Sequence, residues 1–196
     1  MRTCALDDGP FLKGSASTQT LLIACIMDQY RILRLASTTV TIDGKDGTRR
    51  AMQLLRRCGD HHVVLLPSVS LAGFNAVDPF EINKVLGVPV IIANPQKPRP
   101  QLVRRALREH FDDWAERIRV FERTSLAHRA ALPGGGVLHY CAIGLDVNRA
   151  RLLLRTLTVF GNTPEPLRVS RIFARALGRR PLPQVSRGMG KKRGHQ

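Results

Sequence analysis

Carboxylates are scarce in this chain, with 15 Asp and Glu against 31 Lys and Arg, so the places where they gather carry information. Asp7 and Asp8 stand together ahead of Gly9-Pro10. Asp43 and Asp46 flank Gly44 and Gly47, and Asp78 precedes Pro79. Each group follows a short apolar stretch that reads as a strand, so three separated strand ends carry acid groups. In an α/β sheet such ends can converge on one edge, and convergent carboxylates are what hard Mg²⁺ ions require for phosphodiester hydrolysis. Asp in an Asp-Gly turn also serves the backbone, since it tolerates the left-handed region and hydrogen-bonds its own chain. Spacing alone leaves both readings open.

Other chemistries are excluded more sharply. No G-x-S-x-G, G-x-x-x-x-G-K-[ST] or G-x-G-x-x-G occurs, which removes the common hydrolase and nucleotide-binding signatures. Cys4, Cys25, Cys58 and Cys141 are widely spaced and read as buried thiols of a reducing cytoplasm. His61-His62 has no partner at metal-ligand spacing and reads as a surface pair. Gly134-Gly135-Gly136 lies between strand-like segments and reads as a turn.

The chain of 196 residues is of a size to bury one core. The pattern predicts a first strand through Cys4 to Leu6. An apolar run from Thr20 to Met27, a turn at Asp28-Gln29 and an alternating stretch from Arg31 to Ile42 predict an antiparallel hairpin. Apolar residues at helical spacing predict a helix over Arg49 to Cys58. There follow an expected buried strand at Val63 to Leu66, a loop through Gly73-Phe74-Asn75, a helix from Pro79 to Leu86 and a strand from Val88 to Ala93. Beyond these the pattern predicts helices at Pro100 to His110, Val147 to Phe160 and Pro164 to Leu177, and strands near Ile118 to Glu122 and Val137 to Ala142. Asp146 is the expected N-cap of the first late helix, Pro164 the N1 residue of the second, and Gly161 and Gly178 their C′ residues. Three antiparallel strands followed by alternating helix and strand predict an α/β fold with a mixed sheet and helices on both faces.

Net charge is +16, a field that attracts polyanions. Nucleic acid is the expected partner. Nine Lys and Arg and no carboxylate lie from Arg168 onward, which places more than half of the net charge in the last 29 residues. The stretch 179–196 is rich in Pro, Gly and cations and is expected to be a disordered basic tail behind a domain spanning 1–178. No apolar run approaches the ~18 residues that span a bilayer, and the N-terminus carries no signal-peptide pattern, so a soluble cytoplasmic protein without membrane contact is expected.

The run Leu6-Asp7-Asp8-Gly9-Pro10-Phe11, then Ile42-Asp43-Gly44-x-Asp46-Gly47-Thr48, then Ala72-Gly73-Phe74-Asn75-x-Val77-Asp78, then Pro164-Glu165-Pro166-Leu167-Arg168-Val169 resembles the archaeal and bacterial family called domain of unknown function 99. The resemblance covers about residues 3 to 178. That family is related to endonuclease V, and the resemblance implies a ribonuclease H-like fold and a Mg²⁺- or Mn²⁺-dependent endonuclease acting on deaminated, uracil-containing DNA. It implies that Asp7, Asp43 and Asp46 are catalytic, that Asp7, Asp8, Asp46 and Glu165 bind metal, and that Arg168 contacts phosphate. With Arg171, Arg175, Lys191, Lys192 and Arg193, Arg168 forms the candidate nucleic-acid-binding set. Two positions depart from the family. Pro67-Ser68 stands where an Asp-Gly usually closes the fourth strand, and Ser170-Arg171 where Ala-His is usual. Loss of a hard oxygen ligand weakens Mg²⁺ binding, so the alternative is a catalytically inactive relative that binds nucleic acid.

Overall fold

The computed structural model describes residues 1–11, 18–97, 99–124 and 126–178. The chain opens on strand β1 (Arg2–Asp8), followed by β2 (Gln19–Asp28) and β3 (Arg31–Thr41). The hairpin between β2 and β3 turns on Gln29 with φ 51°, as the Asp28-Gln29 pair predicts. Helix α1 (Gly47–Cys58), strand β4 (Val63–Leu66), a small hairpin of β5 (Ser70–Leu71) and β6 (Asn75–Ala76), helix α2 (Pro79–Leu86) and strand β7 (Val90–Asn94) complete the first half. Then come α3 (Pro100–His110), α4 (Trp114–Arg123), β8 (His128–Ala131), β9 (Val137–Ile143), α5 (Val147–Leu157) and α6 (Glu165–Gly178).

Seven strands form one sheet in the order β3-β2-β1-β4-β7-β9-β8. β1 pairs antiparallel with β2 and parallel with β4, β4 is parallel to β7, and β9 is antiparallel to both β7 and β8. The mixed sheet and its opening antiparallel strands agree with the sequence pattern. β1 and β4 are buried on both faces because helices cover both. On one face Cys4, Leu6, Val64 and Leu66 pack against Leu54 and Leu55 of α1 and Ile82 of α2. On the other, Ala5, Val63 and Leu65 pack against Ala150 and Leu154 of α5 and Leu167 of α6. Alternation along β1 therefore sends Cys4, Leu6 and Asp8 toward one helical layer and Ala5 and Asp7 toward the other.

Three expectations are corrected. Helix α6 runs Glu165–Gly178, so Pro164 precedes its first residue and Gly178 is its last, not the C′ residue. Ile118 to Glu122 lies within helix α4 rather than in a strand. Its Ile and Val suit a strand locally, but helical geometry brings Ile118 and Phe121 together on the side that lines a cavity, with α3 packed alongside. The strand that precedes the glycine turn is β8, closed by Leu132 N donating to Gly136 O at 2.8 Å and Gly135 N to Leu132 O at 3.0 Å. Helix α5 stops at Leu157, before Gly161, and the hydroxyl of Thr158 donates to Leu154 O at 2.7 Å. Asp146 does cap it, accepting from Asn148 N and Arg149 N. Among the described residues, no helix is long and apolar enough to cross a membrane.

Candidate nucleic-acid interface

Asp7 ends β1 on the face covered by α6. Its carboxylate is buried, and Oδ2 accepts from Nε of Arg171 at 3.2 Å while Oδ1 accepts from Asp8 N at 3.0 Å. Arg171 and Arg175 are four residues apart and share one side of α6, and the Arg175 charge also favours the Asp7 anion. Burial is the stronger influence and raises the Asp7 carboxyl above its ordinary value, against the pull of Arg171. α6 reaches this position because Gly9 leaves room for it. A Cβ there would meet Ala174 O at 3.3 Å and Thr20 Oγ1 at 3.1 Å.

Asp8 faces the opposite layer. Its Oδ2 accepts from Ala72 N at 2.9 Å, and burial, aided by the neighbouring Asp7 charge, pushes its pKa up to about 6 in spite of that hydrogen bond. Adjacent in sequence, the two acids take different partners, Arg171 of α6 and the Ala72 amide, while their carboxyls stay close enough to act on each other.

Asp43 and Asp46 hold the Ala72-Gly73-Phe74-Asn75 loop. The Asp43 amide donates to Ala72 O at 2.8 Å, and its Oδ1 accepts from Phe74 N at 2.7 Å. Asp46 Oδ1 accepts from Asn75 Nδ2 at 2.7 Å and Thr41 N at 3.2 Å, while Oδ2 accepts from Thr41 Oγ1 at 3.1 Å and Arg50 Nε at 3.2 Å. Burial works against the Asp46 anion, yet the donors from Asn75, Thr41 and Arg50 hold its carboxyl below the ordinary range. The loop is fastened from outside by Arg117 of α4, which donates to Gly44 O at 3.0 Å and Phe74 O at 2.9 Å and pairs with Asp113 at 2.9 Å. Gly73 has φ +82°, and a Cβ on it would lie 2.2 Å from Asp43 Oδ1. Gly73→Ala is therefore expected to cost at least about 2 kcal/mol from left-handed strain and displacement of that carboxylate; a chemical-denaturation midpoint unchanged from the parent would contradict this geometry.

Glu165 and Arg168 are occupied with each other. Both Glu165 oxygens accept from the Arg168 guanidinium, at 2.7 and 2.6 Å, which lowers the Glu165 pKa. Asp78 caps α2, accepting from Phe80 N and Glu81 N. The cations Lys191, Lys192 and Arg193, with the rest of 179–196, lie outside the described residues.

The carboxylate that the resemblance implies at the end of the fourth strand would stand at position 67, which is Pro67. Continuing the parallel register Ala5–Leu65 by two residues places Pro67 beside Asp7. Ser68 Oγ accepts from Ser70 N at 3.0 Å. Beyond Ser68, a cavity of about 1000 Å³ opens between the end of β7 and helices α3 and α4, with Asn94, Lys97, Arg99 and Arg104 in its lining.

A divalent ion requires several oxygen ligands at one point. Among the described residues, no three His, Cys, Asp or Glu side chains converge to supply them. Asp7 already faces a guanidinium, Asp8 accepts from the Ala72 amide, and Asp43, Asp46 and Glu165 are engaged by donors of their own. The described residues do not fit a Mg²⁺ or Mn²⁺ site.

The family model described as endonuclease dU matches residues 1–178. The chain belongs to the endonuclease dU family. A UPF0215 protein of Thermococcus gammatolerans is 33% identical over 182 residues, covering 90% of this chain and 92% of that relative. A protein of unknown function from Archaeoglobus fulgidus has a similar structure, with TM-score 0.77 and 24% identity over 90% of this chain and 97% of that one. Endonuclease V of Ciona intestinalis, in complex with DNA containing an inosine followed by a ribo-adenosine, superposes with TM-score 0.59 at 9% identity, covering 90% of this chain and 84% of the other. At these identities the two structures establish the ribonuclease H-like fold. Within the endonuclease dU frame, the Asp7–Arg171 pair is what sequence reading misses, because its partners stand 164 residues apart. Arg171, where the resemblance leads one to expect His, is the hint of it in the sequence.

Proposed function

We propose that this protein is a nucleic-acid-binding member of the endonuclease dU family, DNA foremost, in which divalent-ion-dependent hydrolysis has been weakened or lost. The observation that carries the reading is the Arg171 guanidinium on Asp7, with Pro67 standing where the resemblance implies a carboxylate. A cation fixed on the β1 acid repels a second cation, and proline offers no side-chain ligand. The fold and the +16 charge support retention of the polyanion, and the cavity beside Ser68 has room for an unstacked base. Family membership favours a second reading, an active endonuclease on deaminated DNA.

Labelled single- and double-stranded DNA, normal or containing uracil or hypoxanthine, separates the two when incubated with Mg²⁺, Mn²⁺ or chelator beside an Asp7→Asn control. Binding is expected to fall steeply with salt, by ~10-fold or more between low and physiological ionic strength, as phosphate contacts release counterions. No divalent-dependent nicking is expected. Nicking that requires Mg²⁺ or Mn²⁺ and disappears in Asp7→Asn would establish the endonuclease instead.

A further inference from the structure

The Asp7–Arg171 pair leaves part of the guanidinium free for another anion. Arginine carries five N–H donors in a planar fork, and Asp7 engages Nε of Arg171 at 3.2 Å. No other hydrogen bond to Arg171 is recorded among the described residues, and its side chain is 39% exposed against 9% for Asp7. The Nε edge thus faces a buried carboxylate, while more than a third of the side chain is open to solvent. Arg175, one turn along and exposed, stands close enough for its charge to act on Asp7. Arg168 is held by Glu165, so it does not compete for this place.

We propose that Arg171 takes the place of a divalent cation at the end of β1, neutralising Asp7 on one edge and, with Arg175, binding a nucleic-acid phosphate on the other. The subsite deepens the nucleic-acid-binding reading and rests on it. A guanidinium bridging a carboxylate and a phosphate puts positive charge where a metal would, and the hard oxygen ligands that are missing here are then not needed. Phosphate binding at this edge is consequently independent of Mg²⁺.

Fluorescence anisotropy of a labelled single-stranded oligonucleotide with the full chain tests this at low salt, in chelator and in Mg²⁺. Wild-type affinity is expected to agree within about twofold between the two conditions. Arg171→Ala is expected to weaken binding about tenfold and to reduce the salt slope by about one. Arg171→Lys keeps the charge but not the two-edged fork, so it should recover only part of the loss. Because Arg171→Ala exposes Asp7 to an unpaired state, Arg175→Ala, whose side chain makes no such pair, provides a variant expected to fold normally and bind several-fold more weakly. A third arm reads thermal stability. The wild type should show no Mn²⁺-induced rise in Tm, whereas Pro67→Asp combined with Arg171→Ala, which adds a carboxylate and removes the cation, should gain one. Binding that demands Mg²⁺, a Mn²⁺-dependent rise in wild-type Tm, or unchanged affinity in both Arg171→Lys and Arg175→Ala would overturn the inference while leaving nucleic-acid binding intact. No oligonucleotide binding in either condition would overturn the nucleic-acid reading itself.

Discussion

Asn75→Asp is expected to destabilise the protein by about 4 to 5 kcal/mol at neutral pH, close to the whole stability of an ordinary domain. Asn75 is fully buried. Its Nδ2 donates to Thr41 O and to Asp46 Oδ1, both at 2.7 Å, and its Oδ1 accepts from Gly47 N at 2.7 Å. One amide thus ties the end of β3, the start of α1 and the loop before β6. An aspartate of the same shape keeps the acceptor but loses both donors. It also presses a carboxylate oxygen against Asp46 Oδ1 and leaves Thr41 O without that partner. Pairing it with Asp46→Asn restores a donor facing a carboxylate, so the double variant should recover a large part of the loss. Urea denaturation of the four proteins of that cycle decides the matter. A single variant within about 1 kcal/mol of wild type would mean that Asn75 is not the fastening of this loop.

The same network explains how much of the molecule was legible in the sequence. Strands β2 and β3, helix α2 and the Asp146 cap follow from apolar alternation, a Pro at N1 and an acid before a helix, all signals within a few residues. Helix α4 was not legible. Ile118-Arg119-Val120-Phe121 has local β preference, and its helical form depends on packing by α3 and on Arg117 reaching Gly44 and Phe74, contacts 73 and 43 residues distant. The acids show the same division. That Asp7, Asp8, Asp43 and Asp46 would gather near one sheet edge could be read from strand ends. Their separate duties could not, because alternation along β1 divides Asp7 from Asp8, and the Phe74 and Asn75 donors that tie Asp43 and Asp46 to the loop lie some thirty residues later. Position 67 was identified as a departure by sequence alone, whereas its meaning depends on the parallel register of β1 and β4 and on the cation that α6 delivers to Asp7.

Asp8→Asn is expected to stabilise the protein above pH 6, by about 3 kcal/mol. The Asp8 carboxyl has its pKa raised from 3.8 to about 6, first by burial and then by the Asp7 charge, with the Ala72 amide opposing. A carboxyl whose pKa is higher folded than unfolded favours the native state most fully when protonated, below its unfolded pKa. As pH rises from about 4 to about 6 the unfolded chain releases the proton first, and this contribution is lost. Each pKa unit corresponds to 1.36 kcal/mol, which over the shift gives the figure of about 3 kcal/mol. Asparagine stays neutral at every pH and its Oδ1 still accepts from Ala72 N, so the variant lacks the loss. Asp46 and Glu165, with lowered pKa values, act in the opposite sense in both proteins and cancel in the comparison. Denaturation at a series of pH values should therefore show a stability difference between variant and wild type that is small near pH 4, grows through pH 5 and levels above pH 6. A difference independent of pH would show that Asp8 is not held against its own ionisation. If the difference follows the expected course, the chain keeps a destabilising charge at the end of β1, beside the Asp7–Arg171 pair.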